Sequence, residues 1–227
     1  MKIAIIPARG GSKRIPRKNI KDFCGQPMIA YAISAAKATR LFDHVVVSTD
    51  DQEIAHIALE WGAEAPFKRP LELADDFTPT VPVIAHAIRA CKTLGWDIEY
   101  VCCIYPGVPF IQDADIKQAL DLLQSSDAAY SFPIAEFPSA IQRALRRGSD
   151  GHMHPFYPQN ELTRTQDLEP AYHDAGQFYW GRTDAWLTND KVHRSGVGLS
   201  IPNWRVVDID TSSDWTRAEI LYTAIKG

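Results

Sequence analysis

Six cations fall within thirteen residues near the start of a chain whose net charge is −4: Arg9, Lys13, Arg14, Arg17, Lys18 and Lys21. Small residues are interleaved with them (Ala8, Gly10, Gly11, Ser12), so backbone N–H groups can close around an anion. Such a loop suits a triphosphate whose α-phosphate is attacked. Negative charge then builds on the α-phosphate oxygens and on the departing pyrophosphate, where fixed Lys and Arg donors stabilise it. The plain alternative is a solvated basic loop. The apolar run Ile3-Ala4-Ile5-Ile6 before the loop and the helix after it favour the phosphate site. Open α/β sheets bind phosphorylated ligands beyond the carboxyl end of a first strand. Neither the P-loop spacing GxxxxGK[ST] nor the dinucleotide fingerprint GxGxxG occurs here.

Asp208-Ile209-Asp210 is the second constellation. Residues two apart on a strand share a face, so a strand over 206–210 would project both carboxylates toward one cation. Mg²⁺ takes hard oxygen ligands and keeps water and phosphate in its shell. The same pair could instead cap the following helix. Asp50-Asp51 can touch a ribose or a metal-bound water, or can cap a helix beginning near Gln52. In the polar loop from Arg69 to Thr78, and just beyond it, Thr78 and Thr80 offer hydroxyls to a base edge.

The stretch His173 to Gly181 mixes polar groups with Phe178, Tyr179 and Trp180. Strand neighbours face opposite ways, so His173 beside Asp174 does not make a catalytic dyad, and no GxSxG supports a serine hydrolase. Aromatic faces with nearby polar side chains suit a sugar pocket, with His173, Gln177 and Tyr179 as its candidates. Arg164, in the run Thr163 to Asp167 with Gln166, can pair bidentately with a substrate carboxylate or form a surface ion pair.

Alternating elements must position these groups. Helices are expected from Pro27, over 52–61 with Gly62 at its end, over 81–94 with Gly95 at its end, over 115–124, and over 214–225 with a cap among Thr211, Ser212 and Ser213. Strands are expected over 45–49, 100–105, 128–132, 177–180 and 206–210. That order predicts an α/β fold with a doubly wound, mostly parallel sheet in one domain, 1–227. An excursion over about 133–172 is rich in Pro, Arg, Gly and Asn, and reads as an inserted arm. Its Phe137, Ile141, Met153, Phe156 and Tyr157 would leave apolar surface for a second subunit to cover, predicting a homodimer.

The composition, 45% hydrophobic and 23% charged, is that of an ordinary enzyme. Positive charge confined to one loop argues against nucleic-acid or membrane-surface binding. Cys24, Cys91, Cys102 and Cys103 show no CxxC spacing, and the adjacent pair reads as core. Met1-Lys2 runs straight into the first strand and no apolar run spans a membrane, so a cytoplasmic protein is expected.

Taken together, these residues resemble the sialic-acid-type cytidylyltransferases, which join CMP from CTP to a nine-carbon 2-keto acid sugar and release pyrophosphate. The resemblance rests on Ile6 to Lys13 with Lys18-Asn19, on Ser48-Thr49-Asp50-Asp51, on Arg69-Pro70 with Leu73, and on Asp208-Ile209-Asp210. It implies a Rossmann-like nucleotidyltransferase fold. Arg9, Gly11, Ser12, Lys13, Lys18 and Asn19 would hold the CTP phosphates, with Lys18 and Arg9 catalytic. Arg69, Thr78 and Thr80 would surround cytosine, and Asp208 and Asp210 would bind Mg²⁺. The arm would dimerise and reach the neighbour's sugar pocket. Cys102 to Tyr105, Ile141 to Ala144 and Ala171 to Gly181 resemble the branch that takes pseudaminic acid. Tyr105-Pro106 stands where sialic acid enzymes carry Gln-Pro, a change at a sugar-contacting position that points away from ordinary sialic acid. Legionaminic, sialic or Kdo-type acids are the alternative sugars, and a non-catalytic nucleotide-sensing module or a P-loop-type NTPase the alternative classes.

Overall fold

A computed structural model describes residues 1–188 and 191–226. The first strand, β1 (Lys2–Pro7), leads into the cation-rich loop, which closes on a small hairpin of β2 (Asp22–Phe23) and β3 (Gln26–Pro27). Pro27 caps α1 (Met28–Thr39), and β4 (His44–Ser48) and α2 (Gln52–Glu60) follow. Next come α3 (Thr80–Thr93), β5 (Tyr100–Ile104), α4 (Asp113–Gln124) and β6 (Tyr130–Glu136). Gly62 and Gly95 follow α2 and α3 at φ of +79° and +86°, the left-handed region that a helix end exploits.

The sheet order is β11-β6-β10-β5-β1-β4 once the later strands are added: β10 (Phe178–Arg182) and β11 (Gly196–Ser200). The pairs β1–β4, β1–β5 and β11–β6 are parallel, and β10 runs antiparallel between β5 and β6. Central strands are apolar on both faces because both faces are covered. On β1, Ala4 and Ile6 pack with residues of α1, α2 and α4, while Ile3 and Ile5 pack with those of α3 and of α5 (Thr183–Thr188). Cys102 and Cys103 split between the same two cores, each fully buried, as expected for small apolar side chains.

Beyond β6 the excursion is narrower than expected. Pro133 to Glu136 still belong to β6, and β9 (Tyr172–Asp174) pairs back onto that strand, so the excursion occupies residues 137–171. It carries one two-stranded hairpin, β7 (Leu145–Arg147) with β8 (Met153–Pro155). The chain closes with α6 (Ser212–Lys226), whose Trp215 and Ala218 pack on Phe23, Met28 and Tyr31. Thr211 and Asp214 cap it reciprocally: Asp214 N–H donates to Thr211 Oγ1 at 3.2 Å, and Thr211 N–H to Asp214 Oδ2 at 2.8 Å.

One expected strand does not form. Residues 206–210 join no strand ladder, after a short turn at Asn203–Arg205. Tertiary anchors replace the missing ladder. Arg205 makes a buried ion pair with Asp115 at 2.5 Å, its carbonyl accepts from Gln177 Nε2 at 2.8 Å, and Ile209 is buried against the α6 core.

Candidate active site

β1 lies between β4 and β5, where the strand order reverses, and a crevice opens beyond the strands' carboxyl ends. A cleft of about 1030 Å³ occupies that place. The loop after β1, the turn Pro106–Phe110 after β5 and the anchored segment 205–210 form its walls.

The phosphate loop is built from within. Ile15 is buried, Ala8 N–H donates to Ser48 O at 3.0 Å, and Asn19 Nδ2 donates to the Arg9 carbonyl at 2.9 Å. Arg9, Ser12, Lys13, Lys18 and Asn19 line the cleft, whereas Gly11 is exposed and does not. Lys18 crosses beside Gly107, where an added Cβ would stand 3.4 Å from Lys18 Cε. Its Nζ ends 3.5 Å from Asp210 Oδ1.

Asp208 and Asp210 line the opposite wall. Ile209 is buried in the core between them, so both carboxylates still face the cleft without a sheet. Among the described residues no third His, Cys, Asp or Glu joins them as a metal-binding cluster. Two carboxylates leave the remaining positions of a cation to water and phosphate oxygens, which is the donor set Mg²⁺ accepts.

Arg69 is buried on the cleft floor, its Nε donating to Ser48 Oγ at 3.1 Å and its Nη2 to the Ser48 carbonyl. Burial pushes its pKa down to about 10, which leaves it cationic at neutral pH. Thr78 and Thr80 also line the cleft, but their hydroxyls are already engaged. Thr78 Oγ1 donates to Asp75 Oδ1 at 2.7 Å, and Thr80 Oγ1 lies 2.7 Å from Tyr105 OH.

The sugar candidates divide. Tyr105, His173 and Gln177 line the cleft. Burial raises the Tyr105 hydroxyl to about 12 and holds it neutral. Tyr179 lies instead in an adjoining pocket of about 550 Å³ that shares Thr80 and Tyr105 with the cleft. Its hydroxyl donates to Asp174 Oδ2 at 2.6 Å, and burial raises its pKa strongly. Arg164 and Gln166 are exposed on the excursion, outside the cleft, where Arg164 Nε donates to Asp167 at 2.7 Å.

Asp50 and Asp51 both act on local structure. Asp51 caps α2 by accepting from the N–H groups of Glu53 and Ile54, and Asp50 Oδ1 accepts from Gly10 N–H at 3.0 Å. Carboxylates missed in the sequence also reach the loop: Asp76 lies 2.7 Å from Arg9 and 2.6 Å from Lys13. A signal was present in the acidic pair Asp75-Asp76, but nothing local said which cations it would meet.

This arrangement, a cation-rich loop and a carboxylate pair across a crevice at the sheet's switch point, has counterparts among known proteins. Residues 3–191 match the Cytidylyltransferase family. The chain belongs to that family. This cytidylyltransferase is 41% identical over 97% of its length to the pseudaminic acid cytidylyltransferase of Campylobacter jejuni subsp. jejuni serotype O:2, covering 95% of that protein. It is also 36% identical, over 91% of its length and 40% of the relative's, to a Helicobacter pylori protein named for two activities. These are pseudaminic acid cytidylyltransferase and UDP-2,4-diacetamido-2,4,6-trideoxy-beta-L-altropyranose hydrolase. In fold it resembles the solved CMP:2-keto-3-deoxy-manno-octonic acid synthetase complexed with CTP, at a TM-score of 0.74 and 15% identity over 99% of each chain.

Proposed function

We propose that this cytidylyltransferase transfers CMP from CTP to the anomeric hydroxyl of pseudaminic acid, releasing pyrophosphate. The observation that carries the chemistry is the facing of Lys18 and Asp210 across the cleft, 3.5 Å apart. A triphosphate lying between those walls meets cations on one side and a carboxylate pair on the other. Arg9, Ser12, Lys13 and Asn19 hold the phosphate oxygens, and Lys18 donates to the α-phosphate as negative charge develops there. The guanidinium of Arg69, with Thr78 and Thr80, surrounds the cytosine. Asp208 and Asp210 would hold Mg²⁺, which when bound neutralises phosphate charge and polarises the α-phosphate. Tyr105, His173 and Gln177 orient the sugar so that its hydroxyl approaches in line. The similarity to a curated pseudaminic acid enzyme along nearly the whole chain supports the choice of sugar.

The excursion supports a homodimer. Leu162 is 99% exposed there, and Leu145, Met153 and Phe156 are each more than half exposed, which is much apolar surface for one short segment. Among the described residues no helix is long and apolar enough to cross a membrane. We infer a cytoplasmic reaction, since CTP is drawn from the soluble nucleotide pool.

The test is pyrophosphate release with CTP across pseudaminic, legionaminic, sialic and Kdo-type acids. Pseudaminic acid should give the highest kcat/KM. A preference for another sugar would replace the acceptor, and CTP binding without release from any sugar would favour a sensing module.

A further inference from the structure

The loop's cations do not all serve the cleft. Arg9, Lys13, Arg14 and Lys18 line it, while Arg17 turns to the end of β4. Its guanidinium grips Asp51 through two bonds, Nη1 to Oδ2 at 2.5 Å and Nη2 to Oδ1 at 3.0 Å. Paired geometry of this kind fixes direction as well as distance. Nη2 also reaches Glu53 at 2.5 Å, but that carboxylate is 64% exposed and such pairs hold weakly.

Arg17 also has an unusual backbone, with φ of +56°. Side chains disfavour that left-handed region, so something must hold the residue there. The conformation closes a tight turn: Lys18 N–H donates to Ile15 O at 3.1 Å, and the N–H groups of Ile20 and Lys21 donate to Arg17 O at 2.9 Å. Lys18, the next residue, is thereby delivered to the cleft.

Asp51 is itself tied down, because it caps α2 through the N–H groups of Glu53 and Ile54, each at 3.0 Å. At the other end of the loop, Gly10 donates to Asp50, and a Cβ there would stand 2.7 Å from Asp51 Oδ2. The end of β4 thus holds the loop at two points, one near each end.

We propose that Asp51 and Arg17 are positioning residues, a clasp that keeps the phosphate loop closed and so aims Lys18 at the α-phosphate. The role rests on the loop being the CTP site. Asp51 is then more than a helix cap, and Arg17 contributes to the reaction without touching substrate.

Two substitutions separate the clasp from folding. Asp51→Asn keeps a good N-cap acceptor but loses the charged pair. Arg17→Gly suits the positive φ and removes only the side chain. CTP affinity by calorimetry, kcat, sugar KM and thermal melting are measured for both variants and for the double variant. Each single variant should weaken CTP binding about 10-fold and lower kcat, the scale for a slightly misplaced reactive group, with sugar KM little changed and melting lowered only by the modest loss of one charged pair. The double variant should be no worse than either, because both break one contact. Variants that bind CTP within two-fold of wild type, effects that multiply, or melting far below wild type would each overturn the clasp alone. A wild-type protein that bound no CTP would overturn the phosphate site, and the clasp with it.

Discussion

Arg14 Nη1 stands 2.6 Å from Asp210 Oδ2, so the phosphate loop and the carboxylate pair touch across the cleft. The same carboxylate faces Lys18 through its other oxygen. On the proposed function, substrate phosphate enters between groups that already neutralise one another, and before it arrives Asp210 offsets the mutual repulsion of Arg14 and Lys18.

Lys18 is the loop cation with the least exposed side chain among those paired across the cleft, at 21%. Lys18→Ala should lower kcat by about 10²-fold or more, the scale for losing one transition-state donor. Melting should barely move, since the ammonium holds only a long ion pair. Turnover close to wild type would remove Lys18 from the mechanism.

Asp208→Ala and Asp210→Ala should each abolish Mg²⁺-dependent turnover, and the double variant should be no worse. Residues that serve one ion act as a unit. Titration of Mn²⁺ into the CTP complex, followed by its magnetic resonance, gives a readout besides activity: both single variants should lose the tight component. Independent, multiplying losses would rule out a shared ion.

Much of this site was legible because it lies in contiguous runs. Arg9, Lys13 and Lys18 sit on one loop after one apolar strand, and the centres of β1, β4 and β5 are apolar because helices cover both faces. Tertiary contacts were not legible. Val206 to Asp210 has the β-branched start of a strand, yet it joins no ladder, and the distant ion pair of Arg205 with Asp115 anchors its start instead. Likewise Asp50-Asp51 allowed two roles in the sequence, and only the fold shows Asp51 meeting Arg17, 34 residues away.

Asp76 holds Arg9 and Lys13 at distances usual for an ion pair, and the proposed function would have triphosphate oxygens take its place. Asp76→Asn should free both cations and tighten CTP binding by roughly three- to five-fold, the scale of an exposed ion pair. Calorimetry at fixed salt measures this, and the gain should fade at high salt. Weaker binding in the variant would show that Asp76 shapes the site rather than competing for it.

Asp51 carries a pH dependence whose sign follows from its partners. The Arg17 guanidinium, with the helix N–H groups, lowers its pKa to about 2, below the ~3.9 of an unfolded chain. A depressed folded pKa gives stability that is fully present above ~3.9 and is lost as pH falls toward 2. Denaturant unfolding of wild type and Asp51→Asn should therefore differ by a constant amount from pH 7 to about 5, and converge below about 4. A gap that persisted to the acid limit would mean that Asp51 titrates normally.

Arg164 does not reach its own cleft; it pairs with Asp167 on the exposed excursion. If it reads the sugar carboxylate, it does so in the neighbouring subunit, with the apolar surface around Leu145, Met153 and Phe156 forming the contact. Arg164→Ala should then raise sugar KM about 10-fold or more, the loss of a charge-assisted bond, and leave CTP affinity alone. Mixing Arg164→Ala chains with Lys18→Ala chains makes the decisive comparison. In a mixed dimer one site takes Lys18 from the first chain and Arg164 from the second, and is intact, while the other site carries both lesions. Random exchange at equal concentrations should restore about a quarter of wild-type activity at limiting sugar, from two parents that lack it. If subunits demonstrably exchange and no activity returns, Arg164 acts within its own chain or takes no part in catalysis.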